Sequence, residues 1–230
     1  MEAGLTLSIV VPTRGEAEGI EAFLRHLRER APDAEVIVAD GGSTDGTPEL
    51  ARPLADRVVQ SAPGRARQMN AGAGAASGEL LWFVHADSRL PERSAAALAE
   101  ALRDPRLAGG CFRLRIPRPE PVYRISDRLG NLGVDLFRIA LGDHGIFCRR
   151  AVFAAVGGYP DVPLMEDAEL YRRLRKHGRV RQLPLEIETS PRRYERHGPY
   201  RTTALYALIL ALYAAHVPLP LLARIYARLT

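Results

Sequence analysis

Short apolar runs alternate with longer amphipathic stretches over residues 1–90, and this alternation constrains the fold more than any other feature. The runs TLSIVVP, AEVIVAD and ELLWFVH are rich in Val, Ile and Leu, a pattern typical of strands buried on both faces. Between the first two runs, apolar residues recur at helical spacing at Ile20, Phe23, Leu24 and Leu27. RVV is a weak third strand, and GRARQMNAGAGAAS is an Ala-rich helix. The pattern predicts an α/β fold with a mostly parallel central sheet flanked by helices.

The second half is less regular, and it contains no clear domain boundary. GGCFRLRIP and LEIETS indicate strands, whereas PVYRISDRLGNLGVDLFRIAL and MEDAELYRRLRKHG indicate helices. We therefore expect one domain over 1–200, with a nucleotide-binding half at 1–90 and an acceptor half at 91–200. Residues 201–230 form a C-terminal helical extension that packs on the domain, on a dimer mate or on a membrane surface.

The apolar segment of that extension, Ala204 to Ala215, is 12 residues long. A helix that spans a bilayer needs about 20, so the sequence predicts no transmembrane span. The start of the chain lacks the basic residues of a signal peptide. Cys111 and Cys148 lie far apart in apolar contexts and are typical of reduced core cysteines. Together these features predict a cytoplasmic protein, with peripheral contact at the inner membrane face as the alternative.

The positive charge is almost wholly arginine. The formal net charge is +5, and Lys176 is the one lysine among 32 basic residues. Arginine binds phosphates and carboxylates through a planar fork of donors, although a GC-rich genome would also favour it. Aromatic residues are few (7%) and the arginines are scattered, which argues against nucleic-acid binding.

Polar residues follow the three strongest predicted strands. The strands end in the tripeptides PTR (Pro12 to Arg14), DGG (from Asp40) and HAD (His85 to Asp87). In parallel α/β sheets, ligands bind outside the carboxyl ends of the strands. The sequence therefore predicts a binding site at this rim.

Two motifs near the rim allow two interpretations each. In ADGGSTDGT, Asp40 could accept hydrogen bonds from a base or ribose, or the segment is a plain turn capped by its own hydroxyls. In GRARQMNAG, Arg65 and Arg67 at a helix start could hold a diphosphate, with Asn70 one turn later. The alternative for the second motif is a solvated helix start.

The HADS segment is a candidate cation site. Asp87, at the end of a buried strand, could coordinate a hard divalent cation that bridges two phosphates. His85 is either a further ligand or a buried strand residue that donates to a backbone carbonyl, and we favour the second interpretation. Three ligands are usual, and this segment supplies at most two.

Carboxylates also open the helix of PLMEDAEL. Glu166 and Asp167 could cap that helix, or one of them could act as a general base. Asp143 and His144 in GDHGIF and the basic run Arg192 to Gly198 are interpreted as surface charge.

In this order, SIVVPTRGE, VIVADGGSTDGT, ELLWFVHADS and GGYPDVPLMEDAEL resemble glycosyltransferase family 2, the inverting enzymes with the GT-A fold. GGSTDGT, GRARQMNAG, HAD and LMED resemble a bacterial subgroup of that family. The resemblance runs from Leu7 to the C-terminal helices. It implies a nucleotide-sugar donor, usually a uridine diphosphate sugar, and transfer to a hydroxyl acceptor with inversion.

The resemblance also implies roles for individual residues. Pro12, Thr13 and Glu16 match the loop that lines the nucleotide, and Asp40 matches the acidic residue that ends the second strand. Asp87 matches the last carboxylate of the Asp-x-Asp motif, which binds the diphosphate and Mn²⁺ or Mg²⁺.

The remaining carboxylates complete the comparison. Asp167, with Glu166 beside it, matches the base that activates the acceptor hydroxyl. The chain departs from the family where His85 replaces the first aspartate of Asp-x-Asp and where Gly41 replaces a second aspartate after Asp40. His197 is a candidate late metal ligand, as a histidine is in some relatives.

Other functions stay open at this point. The chain could be a GT-A-like protein that binds nucleotide sugars without transferring them, which the replacement at His85 suggests. A sugar nucleotidyltransferase is less favoured, because PTRGE supplies a single Arg14 and little glycine. The acceptor is unknown; a lipid-linked one would suit membrane contact through 201–230, and a homodimer would suit the same apolar surface.

Overall fold

A computed structural model describes residues 6–229; residues 1–5 and Thr230 lie outside the described residues. The predicted lack of a signal peptide and the outermost ends of the predicted segments 1–200 and 201–230 therefore involve residues that are not described. Seven strands form one sheet: β1 Leu7–Thr13, β2 Glu35–Asp40, β3 Arg57–Gln60, β4 Leu80–Phe83, β5 Leu107–Arg115, β6 Phe147–Arg149 and β7 Arg179–Glu188.

Ten α-helices and one 3₁₀ helix are described. They are α1 Ile20–Arg30, α2 Thr47–Ala51, α3 Arg65–Ala75, α4 Ser94–Ala101, α5 Pro121–Phe137, the 3₁₀ helix Gly142–His144, α6 Arg150–Ala155, α7 Glu166–His177, α8 Arg192–His197, α9 Pro199–Ala214 and α10 Leu219–Leu229. The sequence did not indicate α4 or α8, and β7 begins earlier than the predicted strand.

The strand order is β3-β2-β1-β4-β6-β5-β7. All pairs are parallel except those of β6, which runs antiparallel to both β4 and β5. The predicted α/β class, with a mostly parallel sheet and a C-terminal helical extension, is confirmed. The chain moves from β1 to β2 in one direction and later to β4 in the other, so β1 and β4 flank the point where the strand order reverses. Ligands of open α/β sheets bind at such points.

The core lies on both faces of this sheet. Adjacent residues of β4 point to opposite sides, as the pleat requires. Trp82 packs on Phe112 at 5.1 Å on the face covered by α1 and α4, whereas Phe83 packs edge-on to Tyr159 at 5.0 Å on the face covered by α3 and α7. Both cysteines are free and buried, as predicted.

The C-terminal helices pack on the domain through a smaller cluster. Leu205 and Ile209 of α9 and Leu222 of α10 are buried against Met165 and Ala168 at the start of α7. The last helices therefore lie beside the carboxylates that open α7. Within residues 6–229, no helix is both long and apolar enough to cross a bilayer.

Candidate active site

Five charged or titratable side chains converge where the carboxyl ends of β1 and β4 meet the first turns of α3 and α7. Asp167 and Glu166 open α7, Arg65 opens α3, His85 follows β4, and Asp143 lies in the 3₁₀ helix. The charges of His85, Arg65 and Asp143 all act on Asp167. Segments from both halves of the chain therefore contribute to one cluster at the predicted rim.

Asp167 is the most perturbed carboxyl group of this cluster. It is 4% exposed, and its Oδ1 atom has no hydrogen-bond partner. Burial raises the pKa of Asp167 to about 6, the negative charge of Glu166 adds to the rise, and His85 and Arg65 oppose it. A carboxylate with such a pKa is ionised at neutral pH and holds a transferred proton better than an ordinary aspartate.

Arg65 supplies the positive charge opposite these carboxylates. Its side chain is exposed at the mouth of the cluster. Desolvation lowers the pKa of Arg65, but the charges of Asp143, Asp167 and Glu166 outweigh this effect, and the pKa rises above its ordinary value. The guanidinium therefore stays charged, and its charge interacts with all three carboxylates of the cluster.

His85 pairs with a carboxylate, so the predicted bond to a backbone carbonyl is wrong. Its Nδ1 atom lies 3.1 Å from Oδ1 of Asp143, while its buried Nε2 has no partner. Burial raises the pKa of Asp143, but the hydrogen bond and charge of His85 lower it further, and the net result is a low pKa. Asp143 therefore occupies Nδ1 of His85, and Nε2 is left without a protein partner.

The prediction that Asp143 and His144 are surface charges is also wrong. His144 is completely buried, and Asp143 is half-buried against His85. Burial lowers the pKa of His144 to about 4, so this imidazole is neutral. The 3₁₀ helix turns both side chains inward because Gly142 and Gly145 let the backbone pass close to its neighbours.

Gly142 packs directly against the two central groups of the cluster. A Cβ atom at this position would lie 2.7 Å from Nε2 of His85 and 2.8 Å from Oδ2 of Asp167. Real Cβ atoms do not approach other atoms so closely. Because glycine has no side chain, the imidazole of His85 and the carboxylate of Asp167 can both pack against the backbone of Gly142.

The ADGGSTDGT motif holds its own loop together. Asp40 is fully buried, and its carboxylate accepts hydrogen bonds from the Thr13 hydroxyl (3.3 Å), the Gly42 N–H (3.0 Å), and both the N–H (2.9 Å) and hydroxyl (2.5 Å) of Ser43. These donors belong to the chain itself. Asp40 thus organises the loop after β2, and its contact with a nucleotide stays a prediction.

The same motif also fixes the loop after β1. Ser43 Oγ, Thr47 Oγ1 and Asp45 Oδ2 accept hydrogen bonds, at 2.9, 2.9 and 3.0 Å, from the backbone N–H groups of residues 15–17. Ser43, Asp45 and Thr47 therefore join two rim loops, a role that the sequence did not indicate.

The family model of Glycosyl transferase family 2 matches residues 8–153, which is more than half of the chain. The chain belongs to glycosyltransferase family 2. The match includes every strand from β1 to β6 and ends before α7, so Glu166 and Asp167 lie outside it.

Two curated relatives have related sequences. The chain is 32% identical over 198 residues to the succinoglycan biosynthesis protein ExoA of Rhizobium meliloti (strain 1021), covering 74% of this chain and 58% of that protein. It is 30% identical over 162 residues to a PGL/p-HBAD biosynthesis glycosyltransferase of Mycobacterium bovis (strain BCG / Pasteur 1173P2), covering 66% of this chain and 62% of that protein. The chain therefore spans less than two thirds of either relative.

Solved structures share the fold. The mannosyltransferase PcManGT from Pyrobaculum calidifontis, in complex with GDP-Man and Mn²⁺, has a TM-score of 0.69 at 22% identity, covering 99% of this chain and 74% of that one. Glucosyl-3-phosphoglycerate synthase from Mycobacterium tuberculosis, in complex with Mn²⁺, UDP-Glc and phosphoglyceric acid, has a TM-score of 0.64 at 19% identity, covering 94% and 82%. These similarities show that the chain shares the fold of these two proteins.

Two residues of the GRARQMNAG motif have partners other than the central cluster. The amide of Asn70 is paired with the backbone of Tyr159, donating to its carbonyl at 2.8 Å and accepting from its N–H at 2.9 Å. Arg67 donates to Asp161 at 2.9 and 3.2 Å on the exposed side of α3. Arg65 is therefore the arginine of this motif whose charge acts on the carboxylates of the central cluster.

Glu16 and Asp87 lie on the other side of the rim. Burial raises the pKa of Glu16, and the charge of the exposed Asp87 adds to the rise. Arg192, from the basic run, forms an ion pair with Glu16 at 3.6 Å. Pro12 is buried within β1, next to this rim.

A resident metal ion does not fit the donor atoms present. Among residues 6–229, no group of three His, Cys, Asp or Glu side chains, the central cluster included, has an arrangement that could hold a metal ion. His85 is paired with Asp143, Asp87 is exposed beside Glu16, and His197 ends α8 without joining such a group. Asp87 could hold a cation only together with oxygens from a bound ligand.

The C-terminal helices add two residues that sequence reasoning missed. Tyr206 of α9 is half-buried; burial raises its pKa to about 12, and the charge of Asp143 adds to the rise. Arg193 donates to the Tyr206 hydroxyl at 3.3 Å and also to the hydroxyl of Tyr226. The Arg-Arg-Tyr sequence of the basic run could have indicated Arg193 as a candidate, but its position beside Tyr206 follows only from the fold.

Proposed function

We propose that the chain is an inverting glycosyltransferase that moves a sugar from a nucleoside-diphosphate donor, a UDP-sugar, to a hydroxyl acceptor. The observation that carries the proposal is Asp167, a buried carboxylate with a raised pKa and an unpartnered oxygen, opposite Arg65 at the ligand-binding edge of a family 2 fold. Family membership and the relatives named for biosynthetic glycosyl transfer support the same reaction class.

In the proposed reaction, the acceptor oxygen forms a bond to the anomeric carbon as the bond from that carbon to the diphosphate breaks. Asp167 accepts the proton of the acceptor hydroxyl, and its raised pKa suits this task. Negative charge collects on the departing diphosphate, where Arg65 stabilises it through charge-assisted hydrogen bonds. The acceptor oxygen attacks the anomeric carbon from the side opposite the departing diphosphate, so the configuration of that carbon is inverted.

His85 and Asp143 orient this site. The imidazole is fixed by Asp143 at 3.1 Å and lies beside Asp167 over Gly142. Its unpartnered Nε2 is the atom of this pair that could form a hydrogen bond with a sugar hydroxyl, which would position the donor for attack. Glu166 acts through Asp167, because its charge helps to raise the pKa of the base.

The donor and acceptor are assigned by chemical class. The solved neighbours bind GDP-Man in one case and UDP-Glc in the other, so the fold accepts either base. We assign UDP from the family resemblance, and we propose a lipid-linked acceptor, which suits the apolar C-terminal helices. An assay that measures free UDP from a panel of UDP-sugars tests the reaction. Nucleotide-sugar binding without nucleotide release would instead support a binding protein.

The acid limb of the pH profile tests the base. We expect kcat/KM to fall about tenfold per pH unit below the pKa of Asp167, about 6, because protonated Asp167 cannot accept a proton. In Glu166→Gln the neighbouring negative charge is lost, so the pKa of Asp167 falls and the limb moves to lower pH. A limb that stays in place or moves upward in this variant would contradict the assignment.

Cation binding is expected to depend on the nucleotide. Because Asp87 lacks two further protein ligands, Mn²⁺ alone should leave the melting temperature unchanged, whereas Mn²⁺ with UDP should raise it above UDP alone. Asp87→Asn should remove the additional rise due to Mn²⁺ while keeping the effect of UDP. A rise caused by Mn²⁺ alone would instead indicate a resident metal site.

A further inference from the structure

Helix α5 exposes a stripe of large apolar side chains. Ile125 is 50% exposed, Leu132 46% and Leu136 67%, and Phe137 at the end of the helix is 57% exposed. Ile125, Leu132 and Leu136 recur at i, i+7 and i+11, with half-buried Leu129 at i+4, so they share one face of the helix. Contiguous apolar patches of this kind on a protein surface mark sites of interaction with a protein or a membrane.

The neighbouring helix α9 also exposes apolar side chains. Helices α5 and α9 pack so closely that a Cβ atom at Gly133 would lie 3.1 Å from a methyl group of Leu210. On α9, Leu208 is 42% exposed, and Ala204 and Ala211 are exposed at the same helical spacing. We call the exposed apolar side chains of these two packed helices the α5–α9 face.

Arginines border this face. Arg124, Arg128 and Arg138 are exposed along α5. Among the described residues of α5, the exposed acidic side chain is Asp135, and Arg113 lies 3.7 Å from it. An apolar helix face flanked by basic residues is the pattern of helices that lie in the interface of an anionic bilayer.

A second copy of the chain suits this border less well. In a two-fold symmetric dimer the same patch meets itself, so the flanking arginines of one copy would lie near those of the other. Repulsion between these like charges would oppose association of the two copies. A negatively charged surface removes this conflict and attracts the arginines instead.

We propose that the α5–α9 face docks the protein on the surface of an anionic lipid bilayer. Docking goes beyond the proposed transfer reaction and does not depend on it. Helix α5 also lies against the 3₁₀ helix that carries Asp143, with Gly130 facing the ring of His144. A hydroxyl acceptor anchored in the same bilayer would therefore be presented beside the candidate active site.

Flotation with lipid vesicles tests this proposal. The full chain is mixed with vesicles of phosphatidylcholine alone, or of phosphatidylcholine with phosphatidylglycerol, at low and high salt. Two double variants change the face, Leu132→Glu with Leu136→Glu and Arg124→Glu with Arg128→Glu. The matched control is Arg25→Glu with Arg103→Glu, which changes the net charge as much as the arginine variant does, at exposed sites on or next to α1 and α4, on the other side of the sheet.

We expect the wild type to float with the anionic vesicles and to dissociate at high salt. The arginine variant should weaken binding by about thirtyfold or more, since each arginine near an anionic surface contributes about 1 kcal/mol. The leucine variant should weaken it at least as much, because it removes two apolar side chains from the bilayer interface and adds two negative charges. The control should bind like the wild type. Every changed side chain is exposed, and unchanged melting temperatures would verify folding.

Three results would overturn the proposal. One is a wild type that does not float with anionic vesicles, and another is a control that loses binding as the α5 variants do. The third is a wild-type dimer in light scattering that the leucine variant dissociates while vesicle binding is absent, which would assign the face to a second copy. None of these measurements uses sugar transfer, so failure of the proposed reaction would leave them unaffected.

Discussion

Replacing Asp167 by Asn is expected to lower turnover by a factor on the order of 10² to 10⁴, the usual contribution of a general base. Asparagine has nearly the same shape but cannot accept the proton of the acceptor hydroxyl. The donor does not require that proton transfer in order to bind, so the thermal shift produced by UDP should be almost unchanged. Release of UDP from the donor, measured at saturating acceptor, reports the loss.

The same variant is expected to be more stable than the wild type at neutral pH. Because folding raises the pKa of Asp167 from 3.8 to about 6, ionisation of this group destabilises the folded state. The penalty is absent below the pKa of the unfolded chain, grows as the pH rises, and is complete above about 6. Asparagine does not ionise, so its melting temperature should exceed that of the wild type at neutral pH and not in acid.

Lower turnover together with higher stability would distinguish a general base from a carboxylate that only supports the fold. A residue that merely held the fold would lose activity and stability together. Asp135→Asn, an exposed carboxylate on α5, is the matched control and should change neither measurement. Wild-type turnover in Asp167→Asn would exclude the base assignment, whereas lost turnover with a lowered melting temperature would indicate a structural role.

The strands and the position of the site could be predicted from the sequence because both depend on local patterns. Runs such as SIVVP and VIVAD report burial on both faces, and polar residues after them mark the carboxyl edge. Helix α4 was missed because SAAALAEA is rich in alanine and shows little contrast between its faces. The early start of β7 was missed because alternating exposed residues such as Arg179 and Arg181 conceal its pairing with β5.

The partners of the site residues could not be predicted, because they are contacts over long sequence separations. Nothing near His85 in the sequence indicates that its Nδ1 will meet Asp143, 58 residues later. Likewise the hydrogen-bonding groups of Asn70 are occupied by the backbone of Tyr159, 89 residues away. Sequence patterns identified residues whose side chains suit a binding or catalytic role. The tertiary fold determines which of these residues lie close to one another.

Gly142→Ala is expected to reduce turnover by about 10²-fold, the usual cost of displacing catalytic groups by roughly 1 Å. The new methyl group would lie 2.7 Å from Nε2 of His85 and 2.8 Å from Oδ2 of Asp167, so at least one of them must move. Both atoms are at the ends of side chains, and the backbone can therefore stay in place. We expect a stability loss of about 1–3 kcal/mol, as for other overpacked sites, which leaves the protein folded.

Gly74→Ala is the control that distinguishes this local effect from glycine replacement in general. Gly74 lies inside α3, and a Cβ atom there would meet no atom within 4 Å. Alanine should stabilise this helix by about 0.5–1 kcal/mol and leave turnover unchanged. The pH profile adds a second test, because displacement of Asp167 from His85 changes the charges around the base and must shift the acid limb in Gly142→Ala. Wild-type turnover with an unmoved limb would show that the contact between the imidazole, the carboxylate and Gly142 has no part in catalysis.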